Sequence, residues 1–177
     1  MEEIFIQTEE QRAILETVKK FVDDSILPRA AELDAKIKPE DGFSWEIIEE
    51  ADKLGLRTMT LEDQYNGFGA DSLTTAMVVE ELAKGDLGIS VVMAQTLKLA
   101  QIMDKALNDE QKARVLPEVA SDPRCLLAIG ITEPDNASNY FLPYPSSFRT
   151  TAEKTDGGWV VNGMKHFISN GNTARFY

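Results

Sequence analysis

Cysteine and histidine are almost absent from this sequence of 177 residues, which contains only Cys125 and His166. A single cysteine cannot form an internal disulfide, so a reducing compartment fits the chain better than a secreted state. The two residues are far apart and no motif joins them, so neither a Cys–His nucleophilic pair nor a metal site is predicted.

Basic residues are also scarce. The chain has 18 lysines and arginines against 30 aspartates and glutamates, which gives a net charge of −12. Such a surface repels a nucleic-acid backbone, so nucleic acid is not an expected partner. A phosphorylated cofactor remains compatible with this charge, because backbone N–H groups and helix N-termini bind phosphate locally.

No apolar run is long enough to cross a membrane, so no membrane span is predicted. The first residues, MEEIFIQTEEQ, are acidic, whereas signal and transit peptides are basic. The cytoplasm is therefore the expected location, or the mitochondrial matrix if the source is eukaryotic.

Residues 1–122 have the apolar spacing of helices. Thr8 is predicted to cap a first helix that Pro28 interrupts or restarts, and Ser44 is predicted to cap a short helix that stops at Gly55. The segment Leu61–Asp71 contains two glycines and is expected to be a loop. Three further helices are predicted over Ser72–Lys84, over Ile89–Ala106 with both sides buried, and over Asp109–Leu116.

The pattern changes after Pro123. CLLAIGIT is a short apolar run, FRTTAEKT alternates, and GWVVNGMKHFIS predicts strands around an Asn-Gly turn. Helices followed by strands indicate an α+β fold. The chain is thus predicted to consist of an all-α domain over residues 1–122 and an incomplete antiparallel β-domain over residues 123–177.

Candidate ligand-binding residues follow the first of these apolar runs. In Ile129–Asn139, IGITEPDNASN, a proline ends the strand and leaves backbone N–H groups unpaired, while Thr132 and Ser138 offer hydroxyl donors. A polar heterocycle or a pyrophosphate would suit these donors. The alternative interpretation is a capped turn without a ligand.

A second motif, KHFISNG, covers Lys165–Gly171. If this segment is a strand, Phe167 and Ser169 point to the same face because they are two residues apart. An aromatic ring and a hydroxyl would then face one ligand, and His166 would point away.

Together these motifs resemble the acyl-CoA dehydrogenase family. TEP with a small-residue turn and the later WVVNGMKHFISNG are similar to the family's middle β-domain. The helical half resembles its amino-terminal domain in the same order, through TEEQRAILETVKKFV, LPRAAELD, LGLRTMTLEDQYNGFGAD, VVEELAKGDLG and NDEQKARVLPEVAS. The resemblance covers nearly the whole chain.

The resemblance implies an FAD site. It assigns the backbone of Ile131 and the hydroxyl of Thr132 to the isoalloxazine edge and Ser138 to the pyrophosphate. Phe167 stands where tryptophan is commoner against the flavin, and Ser169 where threonine is commoner near its N5–O4 edge. The first motif departs from the family's TEP-Gly-Ala-Gly-Ser-Asp form at Asp135, Asn136 and Asn139.

An acyl pocket is implied on the evenly apolar helix. Candidate lining residues are Val92, Met93, Ala94, Leu97 and, from the β-domain, Ser138. Packing within the core explains the four helical residues equally well.

The implied reaction is α,β-dehydrogenation of an acyl-CoA thioester, with electrons passing to an electron-transferring flavoprotein. It needs a carboxylate base, which the family takes from a carboxy-terminal helical domain. Glu133 adjoins Thr132 but is expected to point away from the flavin, so no catalytic residue is assigned within this chain. The chain is interpreted as a truncated form that is inactive alone, and the full-length protein as a homo-oligomer.

Two alternatives remain. A flavin monooxygenase of the same fold would react differently with oxygen after flavin reduction. A non-catalytic binding or assembly module would show no response to FAD.

Overall fold

A computed structural model describes residues 7–38, 40–137 and 148–177. Helices come first and strands follow, which confirms the α+β class. The elements in chain order are α1 (Glu9–Phe21), a π-helical turn (Val22–Ile26), α2 (Leu27–Asp34), α3 (Trp45–Lys53), a 3₁₀ turn (Asp63–Tyr65), α4 (Ser72–Gly85), α5 (Leu87–Ala106), α6 (Asp109–Ser121), β1 (Leu126–Leu127), β2 (Thr151–Thr155), β3 (Gly158–Asn162) and β4 (Ala174–Phe176).

The helix boundaries follow local side-chain chemistry. The Thr8 hydroxyl accepts a hydrogen bond from the Gln11 amide at 3.1 Å, and the Gln11 side chain accepts one from the Thr8 amide at 3.0 Å. This reciprocal cap starts α1 where the sequence predicts it. Pro28 lies in the first turn of α2, where its missing N–H matters least, so the predicted restart is confirmed.

The remaining helices pack around an apolar interior. Ser44 caps α3 as predicted, and α6 runs beyond the predicted Leu116 to Ser121. One expectation is wrong: α5 is not buried on both sides, because Val91 is 43% exposed and Ile102 is 45% exposed along one side. The fully buried side chains of the main cluster include Val18, Ile26, Ile47, Ile48, Met59, Val78, Leu82, Met93, Leu97 and Leu126.

A buried arginine ties the end of α6 to the rest of the helical part. Arg57 is completely buried and donates to Asp52 Oδ1 at 2.7 Å. It also donates to the carbonyl groups of Val119, Ala120 and Cys125. These carbonyls lie at and just beyond the end of α6, where helical partners are lacking. The Cys125 thiol is buried beside them, and burial raises its pKa to about 11.

The strands form two small sheets. β2 and β3 pair antiparallel with Thr151 opposite Asn162, and their turn is Asp156–Gly157. β1 and β4 pair in parallel, so the predicted antiparallel arrangement holds for one sheet only. The prediction of strands on both sides of Asn162–Gly163 is wrong: β3 ends at Asn162 and irregular backbone follows.

Within the described ranges, no helix has the length and apolar character needed to cross a membrane. β1 lies in the buried interior beside α5 and α6, since Leu126 joins the main cluster and Leu127 joins a second one with Leu116. The strand that leads to the TEP motif therefore rests on the helical part. The division at residues 122 and 123 stays a prediction.

Candidate flavin-binding site

The two motifs singled out in the sequence lie side by side. The amide of His166 donates to the Thr132 carbonyl at 2.8 Å. The ammonium group of Lys165 donates to the Ile131 carbonyl at 3.0 Å. Ile131 and Thr132 are both partly buried. Residues more than thirty positions apart thus form one continuous surface.

Glu133 holds this surface to the start of the β2–β3 hairpin. Its carboxylate accepts hydrogen bonds from the amides of Arg149 at 2.6 Å and Thr150 at 3.0 Å, and it pairs with Lys165 Nζ at 2.8 Å. The hydrogen bond from Lys165, followed by those from the hairpin, lowers the pKa of Glu133 to about 2. A carboxylate that stays ionised and fully engaged is a poor proton acceptor, so its role here is to connect backbone segments.

A tight turn follows Glu133. The Glu133 amide donates to the Asn136 carbonyl at 2.7 Å, and the Asn136 amide donates to the Glu133 carbonyl at 3.2 Å. Asp135 forms an ion pair with Arg149 at 2.9 Å. A cleft of about 340 Å³ opens beside this turn, between Pro134 and Gly163. Ser138 and the loop Asn139–Ser147 lie outside the described residues.

Phe167 and Ser169 are exposed but do not share a strand. Phe167 has a φ of +53°, and Ser169 lies in a turn. The strand prediction fails because the positive φ breaks the alternation of side chains. The Phe167 ring is nevertheless 94% exposed, an unusual position for a large apolar group. A flat ring and a hydroxyl are thus exposed in the turn that directly follows His166, whose amide bonds the Thr132 carbonyl.

The residues predicted on α5 separate into two groups. Met93 and Leu97 are fully buried in the main cluster, which agrees with the core-packing alternative. Val92 and Ala94 are partly exposed, and Val91 beside them is 43% exposed. Only the second group offers surface to a ligand.

Two residues of this region were not identified from the sequence. Lys165 contacts both Ile131 and Glu133. Asn170 is buried and donates to the carbonyl groups of Val92 and Leu127. The Asn170–Gly171 pair is a sequence signal for positive φ, which Asn170 adopts, but no sequence pattern predicts its distant partners.

Metal ligands are not gathered at this surface. Across residues 7–38, 40–137 and 148–177, no group of three or more histidine, cysteine, aspartate or glutamate side chains could hold a metal ion. An aromatic ring, hydroxyl groups and backbone amides lie at this surface, and such a combination suits an organic ligand. These are the features expected of a wall for a planar heterocycle.

The chain matches known proteins over nearly all of its length. The model of the acyl-CoA dehydrogenase N-terminal domain matches residues 8–123. The probable medium-chain specific acyl-CoA dehydrogenase 2 of Caenorhabditis briggsae, a mitochondrial protein, is 31% identical over 98% of this chain and 40% of its own length.

Solved structures extend the match into the β part. A glutaryl-CoA dehydrogenase from Mycobacterium smegmatis in complex with FADH2 superposes with a TM-score of 0.79 and 28% identity, over 95% of this chain and 41% of that one. A chain from work on the electron transferring flavoprotein of Acidaminococcus fermentans gives a TM-score of 0.82 and 28% identity, over 96% and 42%. This chain therefore spans about 40% of the length of the relatives it matches.

Proposed function

Because this chain belongs to the acyl-CoA dehydrogenase family, we propose that it forms one wall of an FAD site in an oxidoreductase that α,β-dehydrogenates an acyl-CoA thioester. The observation that carries this proposal is the hydrogen bond between the His166 amide and the Thr132 carbonyl. It brings Ile131 and Thr132 next to Phe167 and Ser169.

The described residues fit a flavin. Phe167 offers an exposed ring for packing on the isoalloxazine, and Ser169 and Thr132 offer hydroxyl groups. The carbonyls of Ile131 and Thr132 already accept bonds within the protein, and within the described ranges their amides donate no hydrogen bond, so these amides are the proposed backbone donors to a ligand. Ser138, outside the described residues, is proposed for the pyrophosphate by resemblance.

When bound, FAD supplies the hydride acceptor. The contribution of this chain is to place donors along the ring, where negative charge accumulates on reduction. Val92 and Ala94 on the open side of α5 are the proposed contacts for the acyl group. Met93 and Leu97 are not proposed for that role, because both are fully buried in the main cluster.

The α-proton must be removed by a base that Glu133 cannot provide. Its carboxylate is already bonded to Lys165 and the hairpin amides and stays ionised, with a pKa of about 2. This chain spans about 40% of the length of the relatives it matches. We propose that the base belongs to a region that corresponds to the rest of their length. The 177 residues alone are therefore expected to lack dehydrogenase activity.

Partners and location follow from the same proposal. An electron transferring flavoprotein would reoxidise the reduced flavin, and the likeness to the chain from Acidaminococcus fermentans supports this assignment. A homo-oligomeric full-length protein is proposed by resemblance. The buried thiol of Cys125 agrees with a reducing compartment such as the cytoplasm.

Titration of the chain with FAD tests the proposal. Weak binding is expected, and replacing Phe167 with alanine should weaken it about two- to tenfold, because aromatic packing contributes roughly 0.5–1.5 kcal/mol. Flavin fluorescence and the thermal midpoint measure both effects. Trp159→Ala is the matched control, because Trp159 is an exposed aromatic residue on β3 outside the proposed site.

Absence of FAD binding, or equal effects of the two substitutions, would contradict the flavin site. In the full-length protein, acyl-CoA should reduce the flavin, and the reduced flavin should transfer electrons to an electron transferring flavoprotein faster than to oxygen. Rapid oxygen consumption with substrate hydroxylation would instead establish monooxygenase chemistry.

A further inference from the structure

Asn170 connects three parts of the candidate site. Its side-chain amide donates to the Leu127 carbonyl at 3.0 Å and to the Val92 carbonyl at 3.1 Å. The same nitrogen lies 3.4 Å from Thr96 Oγ1, and that hydroxyl accepts a hydrogen bond from the Leu127 amide at 3.3 Å. One side chain thus joins the Phe167–Ser169 turn, the strand that leads to Thr132, and helix α5.

Two features of Asn170 are energetically unfavourable, its backbone conformation and an unpaired side-chain oxygen. Its φ of +63° is left-handed, although asparagine tolerates this region better than most residues. Its Oδ1 atom is buried without a hydrogen-bond partner among the described residues, and only 8% of the residue is exposed. Unsatisfied buried acceptors and left-handed residues are uncommon and cluster at functional sites, so Asn170 is a candidate for a functional role.

We propose that Asn170 is the positioning residue of the flavin-binding surface. Its hydrogen bonds fix the position and orientation of Phe167 and Ser169 relative to Thr132 and to Val92. This inference rests on the proposed FAD site, since it gives a role to the turn that carries two of its residues.

The geometry explains why a side-chain amide is needed. The partners of its nitrogen are two carbonyls and a hydroxyl oxygen, so a donor is required and a carboxylate would be repelled. The links to Leu127 and Val92 fix the turn to two separate elements, which prevents it from rotating about either. His166, four residues earlier, completes the attachment through Thr132.

Variants of the 177-residue chain separate positioning from general stability. Asn170→Ala removes the amide, and Asn170→Gly removes it while favouring the left-handed backbone. Thr96→Val removes the hydroxyl with little change in volume, whereas Thr96→Ser retains it. Asn172→Ala is the matched control, because Asn172 is an exposed asparagine in the same turn.

Amide hydrogen exchange and FAD titration, both well below the thermal midpoint, are the measurements. We expect Asn170→Ala and Asn170→Gly to speed exchange of the His166 amide at least tenfold and to weaken FAD binding about tenfold. Exchange in α1 and α4 should not change. Thr96→Val should show a smaller effect of the same kind, and Thr96→Ser and Asn172→Ala should resemble the native chain.

Some results would overturn the proposal. Full FAD affinity and native His166 exchange in Asn170→Gly would show that only the backbone conformation matters. Faster exchange spread evenly over α1 and α4 would show a general loss of stability. If the native chain binds no FAD, the proposed function fails, and the localisation of the exchange effect still decides the role of Asn170.

Discussion

The helical part and the β2–β3 hairpin of this protein bury their side chains to opposite extents. In the helices, residues such as Ile47, Leu82 and Leu97 are fully buried. In the hairpin, all ten strand residues are exposed, including both Trp159 on one face and Val160 on the other. A two-stranded sheet with two open faces is marginal by itself, so its order depends on the contacts that attach it.

The attachment of the β part is polar and concentrated in a few residues. Glu133 and Lys165 hold the hairpin to the TEP segment, and Asn170 holds the following turn to α5 and β1. Burial stabilises the helices through many apolar contacts, whereas single hydrogen-bonded groups determine the geometry of the site. Substitutions in the helices should therefore lower the stability of the whole chain, whereas substitutions in the β part should change the local geometry of the site.

The largest expected effect is on global stability, from replacing Arg57 with methionine. The variant loses the bonds to Asp52 and to three carbonyls near the end of α6, and we expect a loss of about 3–5 kcal/mol of unfolding free energy. Urea unfolding followed by circular dichroism measures it. Arg124→Met is the control, because Arg124 is largely exposed and pairs with Glu49 at the surface. Similar midpoints for the two variants would contradict the importance of Arg57.

A second comparison sets one apolar residue in each region against the other. Leu97→Ala should destabilise the chain by about 2–5 kcal/mol, because it creates a cavity in a closed core. Val161→Ala should change stability by less than about 0.5 kcal/mol, because Val161 is 65% exposed. The same urea measurement applies. Equal losses would show that the hairpin is buried against another surface in solution.

The smallest expected effect is local and depends on pH. The folded-state pKa of Glu133, about 2, lies below its ordinary value of 4.5. The folded state therefore binds this proton less readily than the unfolded state, so the stabilisation is complete above about pH 4.5 and is lost as the pH falls toward 2.

NMR shifts of the Arg149 and Thr150 amides should report this titration near pH 2. Glu133→Gln should abolish it, whereas Glu153→Gln should leave it unchanged because Glu153 is an exposed residue of β2. If the NMR shifts of these amides change with a midpoint near pH 4.5, the Glu133 carboxylate is not held by the hydrogen bonds described.

Much of the helical part was predictable because its signals are local. The cap formed by Thr8 and Gln11 and the cap at Ser44 depend on residues three positions apart. The restart at Pro28 depends on one missing N–H. The exposed side of α5 was not predictable, because an evenly apolar helix does not reveal which side its neighbours cover.

The candidate site was predictable only in part. The motifs around Thr132 and Phe167 were recognised and do lie together. The prediction that Phe167 and Ser169 share a strand is wrong, because it depends on a hairpin turn at the Asn162–Gly163 pair. The structure instead turns at Asp156–Gly157 and leaves Phe167 with a positive φ.

By itself, the sequence determined the order of helices and strands, the family and the identity of the two motifs, since these depend on spacing along the chain and on short-range backbone preferences. Only the tertiary structure decided that Glu133 connects segments through Lys165 and that Asn170 anchors the exposed turn to Val92 and Leu127. Those contacts join residues 32 to 78 positions apart, and no local pattern encodes the distance or direction of such a partner.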